Sequence, residues 1–177
     1  MHDRKIIELL EREMQDGWNT LQQALAGLTE EEFWWKPCEK AWTLRTVGDR
    51  WTLDYDFPNP IPKGPLTIAW LILHIATCKV MYVEYAFGEG KLTWDQFDLP
   101  SNTEAALNYL QESHQPLKAT LEGLTDEDLP KMRKTNWGDF WPTERIIWTM
   151  IHHDIYHGAQ IQTVRKIFQG QRENLKL

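Results

Sequence analysis

His153-Asp154-Ile155-Tyr156-His157-Gly158-Ala159-Gln160 is the stretch on which the fold turns. Four residues is just over one helical turn, so His153 and His157 project from one face, one above the other, close enough for both imidazoles to reach a single metal ion. Ile146, Met150, Ile161, Val164 and Phe168 recur around the pair at helical spacing, which turns that face toward the interior of a helical core. A second apolar stretch, from about Leu66 to Phe87, carries one further histidine, His74.

Reading outward, the first helix is marked by Ile7, Leu10, Met14, Trp18, Leu21, Leu25 and Leu28 in steps of three and four, with Gly27 helping to end it. In Leu28-Thr29-Glu30-Glu31-Glu32-Phe33, Thr29 caps a short new turn and Glu32 returns the bond as a capping box. The phrase recurs as Leu121-Glu122-Gly123-Leu124-Thr125-Asp126-Glu127-Asp128-Leu129, after a third helix with the stripe Leu107, Leu110, Leu117, Leu121 and Leu124. Either the chain is two related helix pairs, or the same helix-ending chemistry arose twice.

The connection from Lys36 to Pro65 holds five of the nine prolines. Pro58, Pro60, Pro62 and Pro65 make its second half an extended strap that cannot be helical. Its first half reads as a hairpin about Gly48-Asp49, with Trp42, Leu44 and Thr46 opposite Tyr55, Leu53 and Trp51 on one face and Arg45 and Arg50 on the other. The second helix follows, stopping at Gly88 and Gly90. Ser101 with Glu104 forms a capping box for the third helix, and Pro142 opens the fourth, which runs to about Gln169 with Gly170 as terminator. The expectation is an all-α fold: a four-helix bundle whose long crossover between the first and second helices carries a small β-hairpin.

Composition bounds the function. The 177 residues, 42% hydrophobic and 25% charged, suit one globular domain with a real core. A net charge of −7 without any basic stripe argues against nucleic acid as a partner. The most apolar run, Leu66 to Ala76, is shorter than the roughly 20 residues of a membrane span and contains His74, so it reads as a buried helix. The N-terminal residues lead directly into an amphipathic helix and lack the apolar segment of a signal peptide. Cys38 and Cys78 share no metal-ribbon or CxxC spacing and read as reduced residues of a cytoplasmic protein, Cys78 as core. Ten tryptophans spread along the chain favour aromatic packing around a cavity or between subunits, and so a homodimer formed by the first and third helices.

Sites in helix bundles are built inside, from facing helices. If the second and fourth helices are neighbours, His74, His153 and His157 offer three neutral nitrogen donors to one divalent cation and leave positions open for water or substrate, as catalytic sites do. Three imidazoles suit zinc, nickel or iron, and also copper.

The lone histidine of the second helix, the fourth-helix His153-x-x-x-His157 followed by Gly158-x-Gln160, and Leu28-Thr-Glu-Glu-Glu-Phe-Trp-Trp-Lys-Pro37 together resemble the DinB/YfiT-like superfamily of metal-binding four-helix bundles. The resemblance covers nearly the whole chain and implies one domain over residues 1–177, the ligands His74, His153 and His157, and a homodimer. It also implies an activity near those of characterised members, which include thiol-dependent S-transferases and a mycothiol-dependent isomerase. The hairpin and proline strap, residues 42–65, lengthen the first crossover beyond the compact family pattern.

Each candidate has a plainer alternative. His74 could be a core histidine satisfied by one hydrogen bond. His152 lies about 100° around the helix from His153 and suits a surface or supporting role. His114 falls on the third helix's apolar seam as a polar residue tolerated near Pro116. Gln160 is placed either to bond a water at the metal or to cap a polar pocket. Asp154 faces a neighbouring helix or solvent, and no clear acid stands on the inner faces of the second or fourth helix. Trp70 and Trp148 read as core. The leading reading is an enzyme whose cation activates a low-molecular-weight thiol for transfer to an electrophile. The alternatives are a metal-dependent hydrolase and a non-catalytic metal or small-ligand binding protein.

Overall fold

The computed structural model describes residues 4–55 and 64–174. It is mostly helical. Four long helices, α1 (Lys5–Leu25), α3 (Ile68–Phe87), α4 (Thr103–Glu122) and α5 (Thr143–Asn174), are joined by a short α2 (Glu30–Trp34) and two antiparallel hairpins, β1–β2 (Leu44–Val47, Arg50–Leu53) and β3–β4 (Met132–Lys134, Phe140–Pro142). α1 packs most extensively on α5 and α3 on α4, and α3 also lies along α5. Among the described residues, α3 is the one helix long and apolar enough to cross a membrane, and most of it is buried inside the protein.

The apolar stripe of α1 buries Ile7, Met14, Trp18, Leu21 and Leu25 as its periodicity predicts. The first hairpin has the expected register, Leu44 opposite Leu53 and Thr46 opposite Trp51, with Gly48 at φ +62° supplying the left-handed turn. It is latched to the following helix: Trp42 donates its amide to the Pro65 carbonyl, Thr67 returns a bond to Trp42, and the Trp70 indole donates to the Asp54 carbonyl at 2.8 Å. Pro58, Pro60 and Pro62, the middle of the expected strap, lie outside the described residues.

Three boundaries differ from the sequence reading. α4 is capped by Asn102, whose side chain accepts from the Ala105 amide, rather than by Ser101, one residue too early to reach that turn. Pro142 closes strand β4 instead of opening α5. α5 continues through Gly170 to Asn174, since a single glycine costs an exposed helix only about 1 kcal/mol. The β3–β4 hairpin has no alternating pattern in its three-residue strands to announce it.

The two Thr-centred phrases do the same work. Each forms its capping box, Thr29 with Glu32 and Thr125 with Asp128. The acid following each threonine then caps a long helix of the other half: Glu30 accepts from the Thr103 amide at the start of α4, and Asp126 from the Ile6 and Ile7 amides at the start of α1. This reciprocity favours two related helix pairs. Glu32, buried, also holds Arg165 of α5 at 3.0 Å, and Arg165 donates to the last carbonyls of α1. Burial works to raise the Glu32 pKa, but the bonds from Arg165 and Thr29 outweigh it and hold it below the usual carboxylate value.

Buried apolar side chains fall into two clusters. One gathers Leu21, Leu25, Phe33, Trp70, Leu73, Leu110 and Ile161; the other gathers Ile7, Met14, Tyr82, Leu117, Leu121, Ile147 and Met150. On each of α3, α4 and α5 polar side chains enter between the clusters: Cys78 and Lys79, Ser113 and His114, His153, Asp154 and His157. A polar layer thus crosses the helical core at mid-height.

Candidate metal centre

Half of that layer is nitrogen. α3 delivers His74, and α5 delivers His153 and His157 from successive turns of one face. His153 Nε2 stands 3.2 Å from His74 Nε2 and 3.2 Å from His157 Nε2. Two nitrogens bound to one tetrahedral zinc at about 2.0–2.1 Å stand about 3.3–3.4 Å apart, so the spacing fits a shared cation. Burial pushes the His153 imidazole well below its ordinary pKa, with the neighbouring His157 and His74 adding to the effect, and neutral imidazole is the form that donates a lone pair. The Nδ1 of His153 is buried with no hydrogen-bond partner among the described residues.

The surroundings orient the other two rings. His157 Nδ1 lies 2.6 Å from Gln160 Oε1, so the amide oxygen accepts the ring proton and leaves Nε2 with its lone pair toward the cluster. Gln160 therefore acts on the imidazole rather than on a water at the metal or as the cap of a separate pocket. Trp70 lies flat on His74, ring centres 4.3 Å apart, and Trp42 and Tyr55 continue the aromatic wall outward, each step 5.7 Å. The crossover hairpin thus builds one side of the site.

Cys78, read as core from the sequence, is buried but stands at the centre: its Sγ is 3.7 Å from His74 Nδ1 and 3.8 Å from His74 Nε2. Donor atoms of His74, Cys78 and His153 lie within 4.8 Å of one another and could hold a metal ion. The signal was in the spacing, since His74 and Cys78 stand four apart on α3 just as His153 and His157 do on α5.

Asp154 faces a neighbouring helix, as one of its two expected placements had it, and supplies the inner-face acid that the sequence did not make clear. It is 1% exposed and receives Lys79 Nζ, also 1% exposed, at 2.6 Å. Burial drives both groups toward their neutral forms, Lys79 down and Asp154 up, while their mutual attraction opposes it. His114 is more than tolerated near Pro116: it is buried, stacked on Trp18 at 3.9 Å, and pushed down to about 3 by burial and by the charges of Lys79 and Lys118. His152 is exposed, sandwiched between Trp148 and Tyr156 on the outer face of α5. Trp148, expected in the core, is 57% exposed.

A family model described as the DinB superfamily matches residues 13–161. The chain belongs to the DinB superfamily. The crystal structure of a conserved protein from Enterococcus faecalis superimposes with a TM-score of 0.60 at 16% identity, covering 94% of this chain and 98% of that one. At that identity the likeness carries the fold alone. No curated protein matches the chain.

Proposed function

We propose that this DinB-superfamily chain is a metal-dependent enzyme in which His74, His153 and His157 hold a divalent cation that activates a low-molecular-weight thiol for transfer to an electrophile. The four long helices are then the family's four-helix bundle, with the site set between α3 and α5. The observation that carries the reading is His153 Nε2 standing 3.2 Å from His74 Nε2 and 3.2 Å from His157 Nε2, in a polar layer between two apolar clusters. A cation seated there supplies the Lewis acidity that lowers the pKa of a thiol, so that thiolate exists at neutral pH. The chain's own residues do the rest. Burial keeps His153 neutral, Gln160 fixes the His157 tautomer, and Trp70 with Trp42 shields the approach from one side. His74 and His153, half-buried, leave the cluster reachable from the surface.

Asp154, the acid next to the ligands in sequence, is engaged by Lys79. That occupies the general base a metal-dependent hydrolase would call on, and favours the thiol reading, which needs less proton transfer from the protein. The metal is zinc, nickel or iron on donor chemistry.

The test is elemental analysis of untagged protein, followed by conjugation assays with bacillithiol, mycothiol, glutathione and coenzyme A. Substituting His74, His153 or His157 by Ala should each abolish stoichiometric metal, while His152→Ala and His114→Ala retain it. Equal metal in wild type and His157→Ala would overturn the site, and metal-loaded protein inert toward every thiol would overturn the reaction. The reading also takes the protein as a cytoplasmic homodimer. Ile6 and Leu9 on α1, with Trp148, Ile155, Tyr156 and Ile167 on α5, are large exposed apolar groups that support such an interface, while α4, the third long helix and the expected partner of α1 in it, exposes none among the described residues. A monomeric mass by light scattering at micromolar concentration would remove it.

A further inference from the structure

The nitrogen triad does not exhaust the donors at this point of the core. α3 presents His74 and Cys78 one helical turn apart, and α5 faces them with His153, whose donor atom joins theirs in one group, and with His157 one turn further on, 3.2 Å from His153. Cys78 Sγ stands 3.8 Å from His74 Nε2. A nitrogen and a sulfur bound to one tetrahedral zinc, at about 2.05 and 2.3 Å, stand about 3.6 Å apart. Sγ also lies 3.7 Å from His74 Nδ1, off the Nε2 lone-pair line, so a rotation of the Cys78 side chain about Cα–Cβ has to carry the sulfur onto the cation. Cys38 offers no such alternative, being exposed on the connection after α2.

We infer that Cys78 is the fourth protein donor, so that the resting centre is a closed His3Cys set rather than an open triad. This rests on the metal reading above and deepens it. As the sulfur bond to the cation forms, the Cys78 thiol loses its proton to solvent and binds as thiolate. Two consequences follow for the site. A thiolate donor biases it toward softer ions such as zinc and away from magnesium or manganese. An incoming substrate must then enter as a fifth ligand or take the place of Cys78, so this side chain sets the threshold for substrate entry.

Cobalt substitution tests the assignment without any assay of activity. The parent is Cys38→Ser, in which Cys78 is the single thiol. Adding cobalt to the metal-free parent, with no external thiol, should produce visible ligand-field bands together with a near-ultraviolet sulfur-to-cobalt charge-transfer band. In Cys38→Ser/Cys78→Ala the near-ultraviolet band should vanish while the visible bands persist and shift. Visible bands without the near-ultraviolet band in the parent would overturn the Cys78 assignment and leave the triad standing. No cobalt bands of either kind would overturn both. A near-ultraviolet band that survives Cys78→Ala would also overturn it, since the sulfur would not be that of Cys78.

Discussion

The polar layer has two halves, and they solve the problem of burying polarity in opposite ways. Lys79 and Asp154 pair with each other, Nζ to Oδ2 at 2.6 Å, closed within the protein. His74, His153 and His157 bring nitrogens together instead: His153 Nε2 stands 3.2 Å from both His74 Nε2 and His157 Nε2, and one nitrogen cannot both donate a proton and accept one. Both halves tie α3 to α5, through Lys79–Asp154 and through His74–His153. The difference separates a closed ion pair from a cluster whose donor atoms could hold a metal ion.

The sharpest way to break the comparison is to unbalance the closed half. Lys79→Met should destabilise the fold by about 3–5 kcal/mol, because it strands a buried carboxylate whose Oδ1 already lacks a hydrogen-bond partner among the described residues. Lys79→Met/Asp154→Leu should recover most of that loss, since removing both charges leaves nothing unpaired. Urea denaturation of the metal-free proteins measures both. If the double variant were as unstable as the single one, the pair would be holding more than itself.

His114 belongs to the closed half, and it gives that half a pH signature. Its folded pKa of about 3 lies below the ordinary 6.5, so the unfolded chain takes up a proton that the folded chain refuses. Stability from this group is complete above about pH 6.5 and is lost as the pH falls toward 3. His114→Leu should therefore flatten the stability-against-pH slope in that window by about 1.4 kcal/mol per pH unit in metal-free protein. An unchanged slope would mean that His114 is protonated in the fold.

How much of this was legible depended on how local each signal was. The long helices, the Thr29 and Thr125 boxes, the first hairpin and the His153–His157 pair rest on short spacings that the chain displays openly, whereas the approach of His74, 79 positions from His153, depended on which helices are neighbours. Lys79 with Asp154, Glu32 with Arg165 and Asp126 with the start of α1 join residues 75, 133 and about 120 positions apart, and nothing in either partner's neighbourhood names the other. Cys78 lay between these cases. Its spacing from His74 was visible, but its apolar neighbours pointed to plain core. Trp148 failed for a related reason: α5 is apolar on several sides, so hydrophobicity alone does not say which side faces in.

A smaller perturbation sharpens the open half. If Gln160 works by accepting the His157 Nδ1 proton, Gln160→Ala should weaken metal binding about 10–100-fold with little effect on metal-free stability, and Gln160→Glu, which keeps an acceptor, should restore it. Competition with a chelator reads the affinity. Equal weakening in both variants would assign Gln160 a packing role instead.

The smallest effect concerns what brings α1 against the open half. Gly158, next to His157, lets α5 approach α1 so closely that an added Cβ would stand 3.4 Å from Leu21 Cα, while at Gly17 it would stand 3.3 Å from the Ile151 carbonyl. Alanine gains about 1 kcal/mol over glycine in a helix interior, and the crowding opposes it. At Gly158 the contact is ordinary, so Gly158→Ala should be neutral to about 1 kcal/mol more stable, with metal affinity unchanged. At Gly17 a rigid backbone oxygen must give way, and Gly17→Ala should come out less stable than Gly158→Ala. Thermal melts of the two variants decide it. A reversed order would mean that the helices separate more easily beside Ile151 than beside His157, and that the metal centre rather than the apolar clusters lies at the tighter part of the α1–α5 seam.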